Sequence, residues 1–354
     1  MRVGLVLGAG GVLGGAWITG ALEALARKTG WDPASADHIV GTSAGSMMGA
    51  LVAAGVPPWF MVAHSAGEDF DGLTDAHGEP VGDADRNAGA RFYFEGGVPI
   101  GPGSWGLALR TLIRPHRHTP AALLGGWLPR GFISTGPLKD TVRSAVPTGW
   151  ADHPNLWIMA CDYSTGRRVA FGRDGAPPAE LADAVAASCS IPGFYRPVDI
   201  GGRRYVDGGL YSNSNLDVLR AEQLDLVICL NPTSSLHPMK AWNPVERLAA
   251  MFRTEAGRRL GSEAKKLRAT GTEVVLIQPT DEDLAIMGPN LMSSKRRHEV
   301  IEAARVTVGG QLRDEDTHDL LSTLPPGEAH RIRRPDGPPS SWPPLLAEPT
   351  AGVA

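Results

Sequence analysis

Short apolar runs closed by glycine alternate along this chain with longer stretches in which apolar residues recur every three or four positions. Val3–Leu7 is the first such run, and the glycines after it mark the end of a buried strand. Ile18, Leu22 and Leu25 follow at helical spacing, in a segment ending near Gly30. His38–Thr42 predicts a second strand, followed by an Ala/Met/Leu-rich helix over 44–54 that Gly55 and Pro57 close. Further strands are expected at 156–161, 169–171, 204–206, 226–230 and 274–277.

Between the last two strands the pattern predicts a long amphipathic helix. Asn243 supplies its N-cap, Pro244 its first residue and Glu246 a capping-box position, and Val245, Leu248, Phe252, Ala256, Leu260, Ala264 and Leu267 mark one buried face. Strands alternating with helices indicate an α/β fold, a three-layer α/β/α sandwich with a mainly parallel central sheet. The domain is expected to span 1–322. A Gly/Pro-rich insertion of loop or lid character occupies 65–130, and a Pro-rich flexible tail covers 323–354. The insertion begins acidic and becomes basic (Arg86, Arg91, Arg110, Arg114, Arg117, Arg130), with Phe92, Tyr93, Phe94, Trp105 and Trp127 interspersed. That mixture suits either a membrane-facing surface or an ordinary irregular insertion.

Composition narrows the class of function. A net charge of −4 gives no overall attraction to nucleic acid, so no nucleic-acid partner is expected. Cys161, Cys189 and Cys229 are odd in number and widely spaced, which argues against a disulfide scaffold or a zinc site and for buried thiols in a reducing compartment. The expected location is cytoplasmic, peripheral at the membrane. Residues 3–22 carry no charge, yet seven glycines interrupt them, so they read as strand, loop and helix rather than a targeting segment.

Three motifs carry chemistry. Gly41-Thr42-Ser43-Ala44-Gly45 is a G-x-S-x-G between a predicted strand and a predicted helix. On such a turn the serine is strained and exposed, flanking glycines let neighbours approach, and the helix aims its N–H groups at the reaction centre. Gly8, Gly10, Gly11 and Gly14 follow the first strand, where N–H groups of Gly10 and Gly11 would form an oxyanion hole. A dinucleotide fingerprint is the rival, but its register puts Leu13 or Ala9 where a glycine is required. Asp207-Gly208-Gly209 ends another short strand and would bring a carboxylate near a serine on a neighbouring strand end. Taken alone, that motif also reads as a common turn.

In this order the motifs resemble the patatin-like phospholipase family. The likeness extends to Ser188-Cys189-Ser190-Ile191-Pro192-Gly193-Phe194, which is similar to the family's Ser-x-x-x-Pro-x-Phe/Tyr segment, and to Asn213, over roughly residues 1–220. The resemblance implies a serine acyl hydrolase cleaving carboxylic esters of lipids. Ser43 would be its nucleophile and Asp207 its general base, with no intervening histidine and neither metal nor organic cofactor. The partner would be a lipid or lipid-like ester, with peripheral membrane contact. Where the family usually carries Arg or Lys, before the last glycine of the first motif, this chain has Leu13, which argues against a strict phospholipid preference.

Two alternatives stay open: a catalytically silent lipid-binding module on the same fold, and a Ser-His-Asp esterase using His298 or His330. His298, in a basic run, reads as part of a solvated helix face, and His116 and His118 read as surface residues. Met47, Met48, Leu51 and Val52 are expected to pack the core rather than line an acyl pocket.

Overall fold

The computed structural model describes residues 1–66, 93–95, 101–117, 119–235 and 244–327. In chain order the strands are β1 (Val3–Leu7), β2 (His38–Thr42), β3 (Leu156–Asp162), β4 (Arg168–Phe171), β5 (Val198–Ile200), β6 (Arg203–Asp207), β7 (Leu226–Leu230) and β8 (Glu273–Ile277). The helices are α1 (Gly11–Thr29), α2 (Ala44–Ala53), α3 (Pro58–Ala66), α4 (Trp105–Ile113), α5 (Pro120–Gly125), α6 (Gly136–Ala145), α7 (Leu181–Ser188), α8 (Pro244–Arg268), α9 (Asp281–Met287), α10 (Arg297–Gln311) and α11 (Glu315–Leu321).

One sheet holds them together, in the order β5-β6-β3-β2-β1-β7-β8, with β4 also paired to β3. The pairs β3-β2, β2-β1, β1-β7 and β7-β8 are parallel; β3-β4, β3-β6 and β5-β6 are antiparallel. The central strands β1, β2, β3 and β7 are buried along their whole length, which is why they read as unbroken apolar runs. Helices cover both faces, as expected for the three-layer sandwich.

One face carries α1, α2, α7 and α10. Helix α1 is buried nearly all round because α10 lies along it: a Cβ at Gly20 would meet the Ala304 methyl at 2.9 Å, so glycine sets that close approach. Gly30, left-handed at φ 72°, ends α1 by donating to the Ala26 carbonyl. The other face carries α8 and, beside it, α4 and α5, whose Leu107 and Ala122 pack with Cys161, Tyr163, Val206 and Leu210.

Three expectations need correction. The described part of the 65–130 insertion is not irregular throughout, since it contains α4 and α5 seated on the sheet. Among the described side chains, the apolar face of α8 is buried only at Leu260, Ala264 and Leu267, whereas Phe252 is exposed and Arg253 is buried, donating to the Pro232 carbonyl at 2.8 Å. Length explains this: at ~1.5 Å per residue a 25-residue helix overshoots five-residue strands that rise ~3.3 Å per residue. Strand β5, only three residues long and ending in a Gly201-Gly202 turn, carried too short a pattern to be read beforehand. Arg86, Arg91, Phe92, His118, Asn243, His330 and residues 328–354 of the expected tail lie outside the described residues, as do the side chains of Val245 and Leu248.

Candidate active site

Register brings the three motifs to one place. Thr42 pairs with Met159, so Ser43 stands level with Ala160, and Ala160 pairs with Asp207. Ser43 and Asp207 are therefore not on adjacent strands: β3 runs between them, and both side chains meet over its small Ala160. Gly208 makes the crossing possible, because a Cβ there would collide with the Met159 carbonyl.

Ser43 sits at φ 53°, ψ −122°, a strained conformation for a residue with a side chain. Helix α2 starts at the next residue, so its N-terminal dipole faces the hydroxyl. Gly41 and Gly45 have steric reasons. A Cβ at Gly41 would meet the Ser46 Cα at 2.5 Å, and one at Gly45 would overlap the Leu7 carbonyl of β1. The Gly45 N–H donates to the Gly8 carbonyl at 3.2 Å, tying the serine turn to the first glycine loop.

Asp207 is buried, and its carboxylate accepts from the Gly209 N–H at 2.7 Å. Burial raises its pKa to about 6, and the Gly209 N–H and the nearby Ser43 hydroxyl hold the rise back. A carboxyl of that strength is ionised at neutral pH yet far more basic than an exposed aspartate.

The glycine loop is packed from beneath. Asn231 and Pro232, after β7, press on Gly8, Gly10 and Gly14 and leave no room for side chains there. Gly11, at φ 60°, is closed in by the Leu291 carbonyl and the Met292 sulfur. The Ala9 N–H donates to the Asn213 carbonyl at 2.8 Å and the Leu13 N–H to the Leu291 carbonyl at 2.9 Å. Among the described residues, no acceptor meets the N–H of Gly10, Gly11 or Ala44. Leu13, in the place of a basic residue, is buried in the core.

A cavity of about 480 Å³ opens at Ser43. Gly11, Ser43 and Ala44 line it, while Gly10 and Asp207 stand behind the wall. Met47, Met48 and Leu51 pack with the core as expected and also line the cavity, the helix beside Ser43 serving both purposes; Val52 packs the core alone. Phe60, Met61, Leu138, Ile191 and Tyr195 complete an apolar chamber that suits a hydrocarbon chain. Cys189 is on the wall with its sulfur 3.8 Å from the Ser46 hydroxyl, and all three cysteines are buried and free.

Several residues of the site gave no usable signal in the sequence. Ser188 takes the Ser43 N–H on its hydroxyl and donates to the Met159 carbonyl at 2.6 Å. The Ser190 carbonyl accepts the Asp207 N–H at 3.0 Å. Asn215, left-handed at φ 51°, donates to the Thr42 hydroxyl at 3.0 Å. Ser188 and Ser190 lie in the segment that carries the family resemblance and Ala44 in the G-x-S-x-G turn, none with a role that the pattern specifies; nothing local marks Asn215.

The histidines are arranged differently. His38 and His153 are buried, which lowers both pKa values, and both pack away from the cavity wall. His116 and His298 are exposed, the latter on α10 as the basic run suggested. His64, on α3, lines the cavity, but the carboxylate reaching Ser43 is that of Asp207.

Residues 5–220 match the Patatin family model, described as patatin-like phospholipase. Two curated relatives, uncharacterized NTE family proteins of Mycobacterium bovis and Mycobacterium tuberculosis, are each 29% identical over 167 residues. Those alignments cover 47% of this chain and 24% of each relative, so the chain spans about a quarter of the length of the curated proteins it matches. Among solved structures, VipD from Legionella pneumophila aligns at 13% identity with a TM-score of 0.41, over 88% of this chain and 66% of that one.

Proposed function

The chain belongs to the patatin-like phospholipase family, and from that premise we propose that it is a serine acyl hydrolase of lipid esters working through Ser43 and Asp207. The Ser43 oxygen attacks the ester carbonyl while its proton passes to the Asp207 carboxylate, forming a carbon–oxygen bond and a tetrahedral oxyanion. The N–H groups of Gly10 and Gly11, joined by that of Ala44 at the start of α2, face the developing charge. Collapse breaks the bond to the alcohol, which leaves with the proton held by Asp207. Water then gives a proton to the same carboxylate, attacks the acyl-serine and releases the acid. The acyl chain lies in the apolar cavity, and the substrate is drawn from lipid assemblies by peripheral contact.

One observation supports this reading above the others. A serine in a strained backbone conformation stands beside a buried carboxylate, raised to about 6, where a glycine loop and a largely apolar cavity meet. A fluorophosphonate probe tests it together with hydrolysis of p-nitrophenyl esters. Wild-type protein should be labelled and active, and Ser43→Ala neither. An unlabelled, inactive wild type would favour a silent lipid-binding module.

A further inference from the structure

Helix α4 is apolar on the wrong side. Its inward residues, Leu107, Ala108 and Thr111, are buried as a surface helix requires. Trp105, Leu109, Leu112 and Ile113, spaced i, i+4, i+7 and i+8, form the opposite stripe, where polar residues belong, and Trp105, Leu112 and Ile113 are 70%, 67% and 64% exposed. The stripe continues onto the neighbouring segment, since Gly126 rests against the Ala108 backbone and Leu124, Trp127 and Leu128 are exposed as well. An apolar area of that extent marks an interaction surface.

Charge identifies what covers it. Arg110 and Arg114 flank the stripe one helical turn apart, with Arg130 and Arg167 nearby, and no carboxylate among the described residues pairs with any of the four. Arg110, Arg114, Arg167 and His116 line an open cleft of about 1160 Å³ beside Leu109 and Ile113. Neighbouring Arg168 and Arg259 are already engaged by Asp217 and Glu263 and stack on Tyr211. Basic residues are thus concentrated here in a chain whose net charge is −4.

We propose that the α4–α5 face docks this protein on an anionic phospholipid bilayer, with the apolar stripe in the interfacial layer and the arginines on head-group phosphates. The position suits the chemistry. Leu128 lies 3.3 Å from where a Cβ at Gly193 would be, and Ile191 and Tyr195 on either side line the catalytic cavity. The edge of the docking face thus touches the segment after α7 that also contributes to the cavity wall, although α4 and α5 themselves sit on the other face of the sheet. The inference rests on the lipid-ester reading for the purpose of docking, but its test does not depend on turnover.

The test is flotation of full-length Ser43→Ala protein with vesicles of phosphatidylcholine alone or mixed with phosphatidylglycerol. Binding should require phosphatidylglycerol and weaken at high salt. Arg110→Glu/Arg114→Glu and Leu112→Asp/Ile113→Asp should each reduce it at least about tenfold while keeping the parent melting temperature. Should the apolar pair fail to fold, the exposed arginine pair still decides. Equal flotation on both vesicle types, or binding unchanged by the arginine pair, would overturn the proposal. So would a dimer that the α4 substitutions dissociate without any vesicle binding, since a second copy would then cover the face. With Ser43 intact, both double variants should cleave a soluble p-nitrophenyl ester at the wild-type rate; an inactive wild type would count against the hydrolase chemistry and leave docking standing.

Discussion

The backbone N–H of Ser43 donates to the side-chain oxygen of Ser188, 145 residues further along the chain, at 2.8 Å. Two residues on, the Ser190 carbonyl holds the Asp207 N–H at 3.0 Å. The end of α7 thus grips the nucleophile and the carboxylate from one short segment, fixing their separation across β3. Ser188→Ala should lower kcat about ten- to a hundredfold with KM nearly unchanged, because misplacing a reacting group costs turnover rather than binding. It also leaves the Ser43 N–H buried without an acceptor, a loss of ~1–3 kcal/mol measurable by denaturant melts. Equal changes in KM and kcat would argue against a positioning role.

Asp207→Asn should separate activity from stability. Loss of the base is expected to cut turnover about a hundred- to ten-thousandfold. Stability should move the opposite way. Burial raises the folded-state pKa from 3.8 to about 6, so the folded protein binds this proton more tightly than the unfolded chain, and stability falls as pH rises between those values. Above about pH 6 asparagine removes that penalty, a gain on the order of 2 kcal/mol, whereas near pH 3 it should gain nothing. Melting curves of both proteins across this range provide the check.

The pH dependence of kcat/KM should report the same group. Activity is expected to decline as pH falls through about 6, when the carboxylate takes up its proton before the serine can supply one. A profile flat down to pH 4.5 would remove Asp207 as the base.

Gly45→Ala tests the packing reason for the motif. The added methyl would run into the Leu7 carbonyl of β1, and neither backbone can yield without disturbing the central strands. A loss of ~2–3 kcal/mol is expected, together with reduced probe labelling of Ser43.

Met48→Trp tests the chamber. Met48 lies on its wall, half-buried and near the surface of α2, so a larger ring should shorten the space without unfolding the protein. Hydrolysis of octanoyl and longer p-nitrophenyl esters should fall at least about tenfold relative to the acetyl ester. An unchanged chain-length profile would place the acyl group elsewhere.

Much of the architecture was legible because local chemistry enforced it. Val3–Leu7 and Leu226–Leu230 are apolar without interruption, and His38–Thr42 nearly so, because both faces of a parallel strand are covered. Ser43 stood out because glycines flank it where backbone presses too closely for a Cβ, whereas Asp207 stood out only through the order of the motifs and the family resemblance. Other features lay beyond the pattern. Met47, Met48 and Leu51 pack the core and also line the cavity, and α4 turns apolar residues outward, but hydrophobicity records only dislike of water and not what stands opposite.

By itself, then, the sequence determined the alternation of strand and helix, the tight turn at Ser43 and the glycine loop. These follow from steric and solvation rules acting within a few residues. Tertiary structure decided that β3 lies between serine and aspartate, that Ser188 and Ser190 clamp both, and that burial brings Asp207 to about 6. Such properties depend on contacts between segments distant in the chain, 145 residues apart for Ser43 and Ser188, set by strand order and register rather than by any local pattern.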